Sequence, residues 1–125
     1  MASPNIVGIT TVRGKTTYLN LGDTSTNVLL SNPTSSNSVY KINSIIVAND
    51  SSSGSTSKIT VTFNDAAAGG GVAYNIAKNV GIASESTLVI MDKASSIYLE
   101  ENNSIVVTAS VASSLDVVCS YEEII

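Results

Sequence analysis

Between Lys58 and Asn64 the chain alternates without a break, with Ile59, Val61 and Phe63 on one side and Lys58, Thr60, Thr62 and Asn64 on the other. A period of two belongs to a β-strand, whose side chains leave opposite faces in turn; a helical stripe recurs every three or four residues. One face of this segment is therefore apolar and meets a core, while the other meets solvent or a partner.

The same signal returns along the chain as short β-branched or alternating runs divided by turn residues, the pattern of a sandwich or barrel and not of βαβ units. Thr16–Leu21 alternates and stops at Gly22-Asp23, and Asn27–Ser31 stops at Asn32-Pro33. Val39–Asn49 is the longest and most apolar run, and its Val39, Ile45, Ile46, Val47 and Ala48 predict a central strand covered on both faces. Ser51–Ser57, around Gly54, reads as a mobile hairpin loop. Val72, Tyr74 and Ile76 alternate after a small-residue loop, Leu88–Met91 is a continuous apolar run, and Ile97–Leu99 is short. Ile105–Val111 and Leu115–Tyr121 form the last pair, joined by Ala112-Ser113-Ser114 in the manner of an antiparallel hairpin. No stretch reads as a long amphipathic helix, because Ala66-Ala67-Ala68 runs straight into three glycines.

These runs predict an all-β fold: an antiparallel β-sandwich of about eight strands, jelly-roll or immunoglobulin-like. With 125 residues, the chain is long enough to close one such core without a metal or disulfide. Residues 15–125 are expected to form that single domain. Residues 1–14, with Ile6, Val7, Ile9 and Val12 as their apolar positions, are read either as an edge strand or as an arm docking on a neighbour.

Composition then narrows the function. Charged residues make up 13% of the chain, against about 25% in ordinary soluble domains, and Ser and Thr supply 33 of the 125 positions instead. Such a surface is cheap to desolvate and favours association with other chains or with copies of itself. The six basic residues lie scattered, so no basic stripe exists for a nucleic acid. Met1–Asn5 lacks a charged and apolar leader, and no run of 18 apolar residues occurs, so neither export nor a membrane is expected.

The chain contains no histidine, which removes Ser-His-Asp and Cys-His catalysis together with the commonest transition-metal ligand. Cys119, the single cysteine, sits in an apolar run and reads as a small buried hydrophobe. Gly14-Lys15-Thr16 imitates the tail of a phosphate-binding loop, but a strand follows where a helix is needed. Asp23, Ser25 and Asn27 have the spacing of a calcium loop, but Val28 stands where its glycine should be, so a turn capped by Asp23 is expected. Glu100-Glu101 and Glu122-Glu123 are neighbours that face opposite ways in a strand, and read as solvated charges. No catalytic, metal or cofactor site is assigned. Gly69-Gly70-Gly71 reads as a hinge or a place of close backbone approach.

The chain from about Val39 to Ile124 resembles small β-rich structural proteins in the virions of tailed bacteriophages, especially those infecting marine cyanobacteria. The likeness is carried by Ser86–Lys93, by Ile97–Glu101 with Ser104–Ser110, and by Leu115–Ile124. It implies a protein present in many copies in the virion, assembled in the host cytoplasm, either as a capsid decoration (cement) protein or as a part of the neck, tail or baseplate. The major capsid protein or other virion proteins would be its partners, together with copies of itself, a trimer being the candidate state. A carbohydrate-binding or host-adhesion module, reading with the Ser51–Ser57 or Ala66–Gly71 loops, is the alternative from another class. Contacts are expected outside the shared strands, at Ile6, Val7 and Ile9 and at Asp65, Gly69, Gly70, Gly71 and Val72.

Overall fold

The computed structural model describes residues 5–125, so the first four residues of the expected arm lie outside the described residues. Nine strands are found among them: β1 Val12–Leu21, β2 Asn27–Asn32, β3 Val39–Asn49, β4 Ser57–Asn64, β5 Ala73–Ile82, β6 Thr87–Met91, β7 Ile97–Leu99, β8 Asn103–Ala109 and β9 Leu115–Ile124. They form two antiparallel sheets. Sheet A has the order β1-β9-β3-β6, with β7 pairing the other half of β3, and sheet B has the order β2-β8-β4-β5. Strands β6 and β7 flank a short 3₁₀ turn at Lys93–Ser95, capped by Asp92, and together line one edge of β3.

Every connection except β4–β5 and β6–β7 carries the chain from one sheet to the other. With β6 and β7 counted as one interrupted strand, this gives two four-stranded sheets in jelly-roll order, and settles the choice left open between jelly roll and immunoglobulin-like sandwich.

The core lies between the sheets. Ile42, Ile45, Val47, Leu115, Val117 and Cys119 of sheet A meet Ile59, Val61, Ile105, Val107 and Ala109 of sheet B, all buried. Each such Val, Leu or Ile contributes roughly 1.5–3 kcal/mol by leaving water. The alternation of Lys58–Asn64 is realised in β4, with Ile59 and Val61 fully buried. In β3 the register shifts between Ile42 and Ser44 at Asn43, where two residues oppose one on β9. That bulge resets the alternation, so Ile42 and Ile45, three residues apart, both point inward.

Three sequence-based expectations need correction. Strands β8 and β9 are not a hairpin: β8 pairs with β2 and β4, and β9 with β1 and β3. Crossing between sheets sets Ile105 and Val107 opposite Leu115 and Val117, so that each pair covers the other across the core. Ser113 makes the crossing at φ 57, its N–H bonded to the Leu21 carbonyl at 2.8 Å. Ser51–Ser57 is likewise a crossing from sheet A to sheet B and not a hairpin loop. It is held by Asn49, which donates to the Ser55 carbonyl at 3.1 Å, and by Ser84, whose hydroxyl donates to the Ser51 carbonyl. Third, β3 is central but not covered on both faces, since Ile46 is exposed on the outside of sheet A.

The first strand starts at Val12, so residues 12–14 belong to an edge strand paired with Ile124, Glu123 and Glu122 of β9. Before it, Thr10 and Thr11 donate to the Ile125 carbonyl at 2.9 and 3.2 Å, tying the segment to the chain's end.

Candidate interaction faces

The outer face of sheet A carries an apolar row that crosses all four strands. Tyr18 of β1 lies opposite Val118 of β9, Val118 opposite Ile46 of β3, and Ile46 opposite Val89 of β6. Their exposures are 74%, 42%, 36% and 54% in that order. Their outward direction follows from the pleat, since Val117 and Cys119 flank Val118, and Ile45 and Val47 flank Ile46, all fully buried. Next to the row on one side stand Thr16, Ser120 and Ser44, and on the other Asn20, Asp116, Ala48 and Thr87. Asn20 donates to the Asp116 carboxylate at 2.7 Å.

Sheet B presents a different outer face. A shallow groove of about 400 Å³ is lined by Thr26, Thr60, Thr62 and Thr108, with Val28 and Val106 among its apolar walls and no charged residue. Its end is formed by the β4–β5 loop, which lies down on the sheet instead of standing free. Gly69 N–H donates to Ser104 Oγ at 2.9 Å, Ala68 N–H to Ser31 Oγ at 2.9 Å, and Ala67 N–H to Asn102 Oδ1 at 3.0 Å. Buried Asn64 donates to the carbonyls of Gly69 and Gly70 at 3.1 and 3.2 Å.

The expected contact residues thus fall in two places. Ile6 and Val7 are exposed, at 51% and 91%, in a turn closed by Gly8 N–H on the Asn5 carbonyl, while Ile9 is half-buried. Asp65, Gly69, Gly70, Gly71 and Val72 form the pinned loop, whose base is closed by Val72 N–H on Asp65 Oδ1 at 2.7 Å. Of the two readings of the glycines, close backbone approach describes what is seen: a side chain on Gly69 would press on Val28 and Val106, and one on Gly71 on Asp65.

The row on sheet A escaped the sequence reading. Its signal was present in Ile45-Ile46-Val47, Val117-Val118 and Leu88-Val89, where apolar residues occupy both phases of an alternation and one of them must face outward unless the strand is covered twice.

The remaining polar groups serve the fold. Glu123 meets Lys15 at 3.1 Å and Arg13 at 3.5 Å, joining edge strand β1 to β9. The hydrogen bond and charge of Glu123 raise the Lys15 pKa above its ordinary value. Beside them the rings of Tyr40 and Tyr121 pack at 5.3 Å, tilted by 42°, and partial burial raises the pKa of both phenols. Cys119 lies in the core, where desolvation pushes its thiol up to about 12, so it stays protonated near neutral pH. Gly14-Lys15-Thr16 lies in strand β1, and Asp23 caps a turn by accepting from Ser25 N–H at 3.1 Å. Among the described residues no group of three or more acidic or cysteine side chains gathers to hold a metal, and no helix is long and apolar enough to cross a membrane.

No family model and no curated protein sequence matches the chain. Its fold is similar to that of a solved protein from Bacillus endospore appendages, described as a novel family of disulfide-linked pili. The two are 13% identical, with a TM-score of 0.51 over 90% of this chain and 87% of that one. A more distant likeness links it to the virus-like particle of the extra small virus of the giant freshwater prawn Macrobrachium rosenbergii, at 11% identity and a TM-score of 0.41 over 98% and 85% of the two chains.

Proposed function

We propose that this protein is a non-enzymatic structural subunit that works in many copies, and that it belongs to a virion as a capsid decoration protein stabilising the head of a tailed phage. The observation that carries the structural reading is the apolar row Tyr18–Val118–Ile46–Val89, laid across an otherwise weakly charged sheet face. An exposed row of this kind gains free energy only when another surface covers it. Many weak contacts of one sort, repeated by symmetry, add up to a stable lattice. The spore-appendage protein that shares the fold is described as part of a pilus, which is compatible with use of this sandwich in a repeating assembly. The virion follows from the resemblance of the strands between Val39 and Ile124 to phage structural proteins.

The test is to add the purified protein to phage particles that lack it and image them. Density repeated over the shell, together with heads that survive higher temperature, is the expected result. Density at the neck or tail would replace the decoration role with a connector role, and particles that take up no protein would overturn the virion reading.

The groove on sheet B gives a carbohydrate-binding role one feature in its favour, since six of its lining residues are Thr or Asn with hydroxyl or amide groups. It has no aromatic side chain among those residues on which a sugar ring could stack. Saturable binding on a glycan array, lost in Thr62→Val, would favour it over the structural role.

A further inference from the structure

We infer that the outer face of sheet A is a two-fold interface with a second copy of this chain. The inference concerns the isolated protein and stands whether or not the assembly it serves is a virion.

A two-fold axis parallel to the strands, lying in the plane between two facing sheets and passing between β9 and β3, lays the apolar row on its own reverse. Tyr18 then covers Val89 of the second copy, and Val118 covers its Ile46. The row is apolar from end to end, with its one large ring, Tyr18, at one end and the smaller Val89 at the other, so reversal sets the ring of each copy over the valine of the other. The register fixes the rest. Asp116 is the one charged residue among the seven paired positions beside the apolar row. Under this two-fold each flanking row faces itself reversed, so Asp116 lies over Ala48 of the second copy, and not over a second Asp116. Asp116 keeps the bond from Asn20 of its own chain, and no two like charges stand directly opposed. Glu122 and Lys41, the next charged pair along the strands, already stand opposite each other within one chain.

The size is adequate. Strands β1, β9 and β3 have 10, 10 and 11 residues and β6 has 5, and at about 4.8 Å between strands and about 3.3 Å per residue they project an area of roughly 600 Å². The corrugated accessible surface exceeds its projection, which brings it near the roughly 800 Å² per partner of a standard stable interface. Two sheets so apposed would continue the face-to-face packing of the core, at about 10 Å and turned by about 30°. The sequence points the same way: β3 reads as a strand covered on both faces, and within one copy only its inner face is covered.

The experiment is sedimentation equilibrium of the full chain, with folding of each variant checked by circular dichroism. Wild type is expected to dimerise, and Val118→Lys, which brings two ammonium groups together at the axis, to raise the dissociation constant at least tenfold. Val28→Lys, on sheet B, is expected to leave it unchanged. A monomer up to about 1 mM, a dimer indifferent to Val118→Lys, or one abolished by Val28→Lys would each overturn the inference. Geometry is tested separately by the double variant Tyr18→Cys/Val89→Cys. These positions lie three strands apart in one chain, about 14 Å, beyond the roughly 7 Å reach of a disulfide. With oxidised glutathione as the added oxidant, the two-fold arrangement predicts a covalent dimer from the double variant and none from either single variant. Open-ended covalent chains in place of a closed dimer would mean a head-to-tail contact and refute the two-fold.

Discussion

Asn49, the last residue of β3 in sheet A, donates its side-chain amide to the carbonyl of Ile82, the last residue of β5 in sheet B, at 2.8 Å. Its second amide hydrogen goes to the Ser55 carbonyl and its oxygen accepts from Ser51 N–H at 3.0 Å, all at 2% exposure. One side chain therefore closes the end of the sandwich. Asn32, which ends β2, likewise donates across the sandwich to the Leu99 carbonyl of β7 and to the Ser38 carbonyl, while Asn64, which ends β4, clamps its own loop. Asn49→Ala is expected to destabilise the fold by about 2–4 kcal/mol in urea unfolding, because it strands buried carbonyls. Asn49→Asp should cost more, since a carboxylate would face two carbonyl oxygens. An Asp variant as stable as wild type would contradict this arrangement.

Gly71, at φ 70, lies where a side chain would press on Asp65, the residue that closes the loop. Gly71→Ala should lower stability by about 2–4 kcal/mol through backbone strain and loss of the bond to Val72 N–H. Gly22, with open space around it, is the control: Gly22→Ala should stay within about 0.5 kcal/mol of wild type.

Ile45 and Ile46 are neighbours in sequence on opposite faces of β3, at 0% and 36% exposure. Ile45→Ala opens a cavity in the core and should cost about 2–5 kcal/mol. Ile46→Ala should cost under about 1 kcal/mol in the monomer and weaken self-association instead. Equal losses of stability from the two would mean that the pleat is placed wrongly.

The Cys119 thiol has its pKa raised from 9.0 to about 12 by burial. Above pH 9 the unfolded thiol ionises while the folded one keeps its proton, so the unfolded state gains and stability falls as pH rises. The slope from this group approaches about 1.4 kcal/mol per pH unit between those values. Lys15, held in its charged form by Glu123, and the half-buried phenols of Tyr40 and Tyr121 act in the same direction above about pH 10. Cys119→Ala should flatten the decline between pH 9 and 10.5 in urea titrations. An unchanged slope would place the thiol in water.

Most strands were legible because a half-buried strand writes its alternation locally. β3 has the bounds expected, β4 differs by one residue, and the inward set Ile59, Val61 and Phe63 was fixed by the period of two. The β8–β9 connection misled because a short link of small residues serves a hairpin and a crossing equally well. Nothing within Ala112-Ser113-Ser114 says which sheet the next strand joins. The loop Asp65–Val72 was legible only as a choice: hinge and close backbone approach both suited its glycines, and the partners that pin the loop, Ser31, Asn102 and Ser104, lie more than thirty residues away in sequence.

By itself the sequence determined that this protein is an all-β sandwich with a weakly charged, hydroxyl-rich surface and without the histidine on which common hydrolytic sites depend. These are properties of composition and of short-range period, which any window of the chain displays. Only the tertiary structure decided the jelly-roll order of the strands and the gathering of Tyr18, Ile46, Val89 and Val118 into one row. Those four residues lie on four strands spread over a hundred positions, and each alone is an unremarkable exposed apolar side chain. Pairing across β1, β9, β3 and β6 makes them neighbours, because register between distant strands is set by how the whole core packs and not by any segment within it.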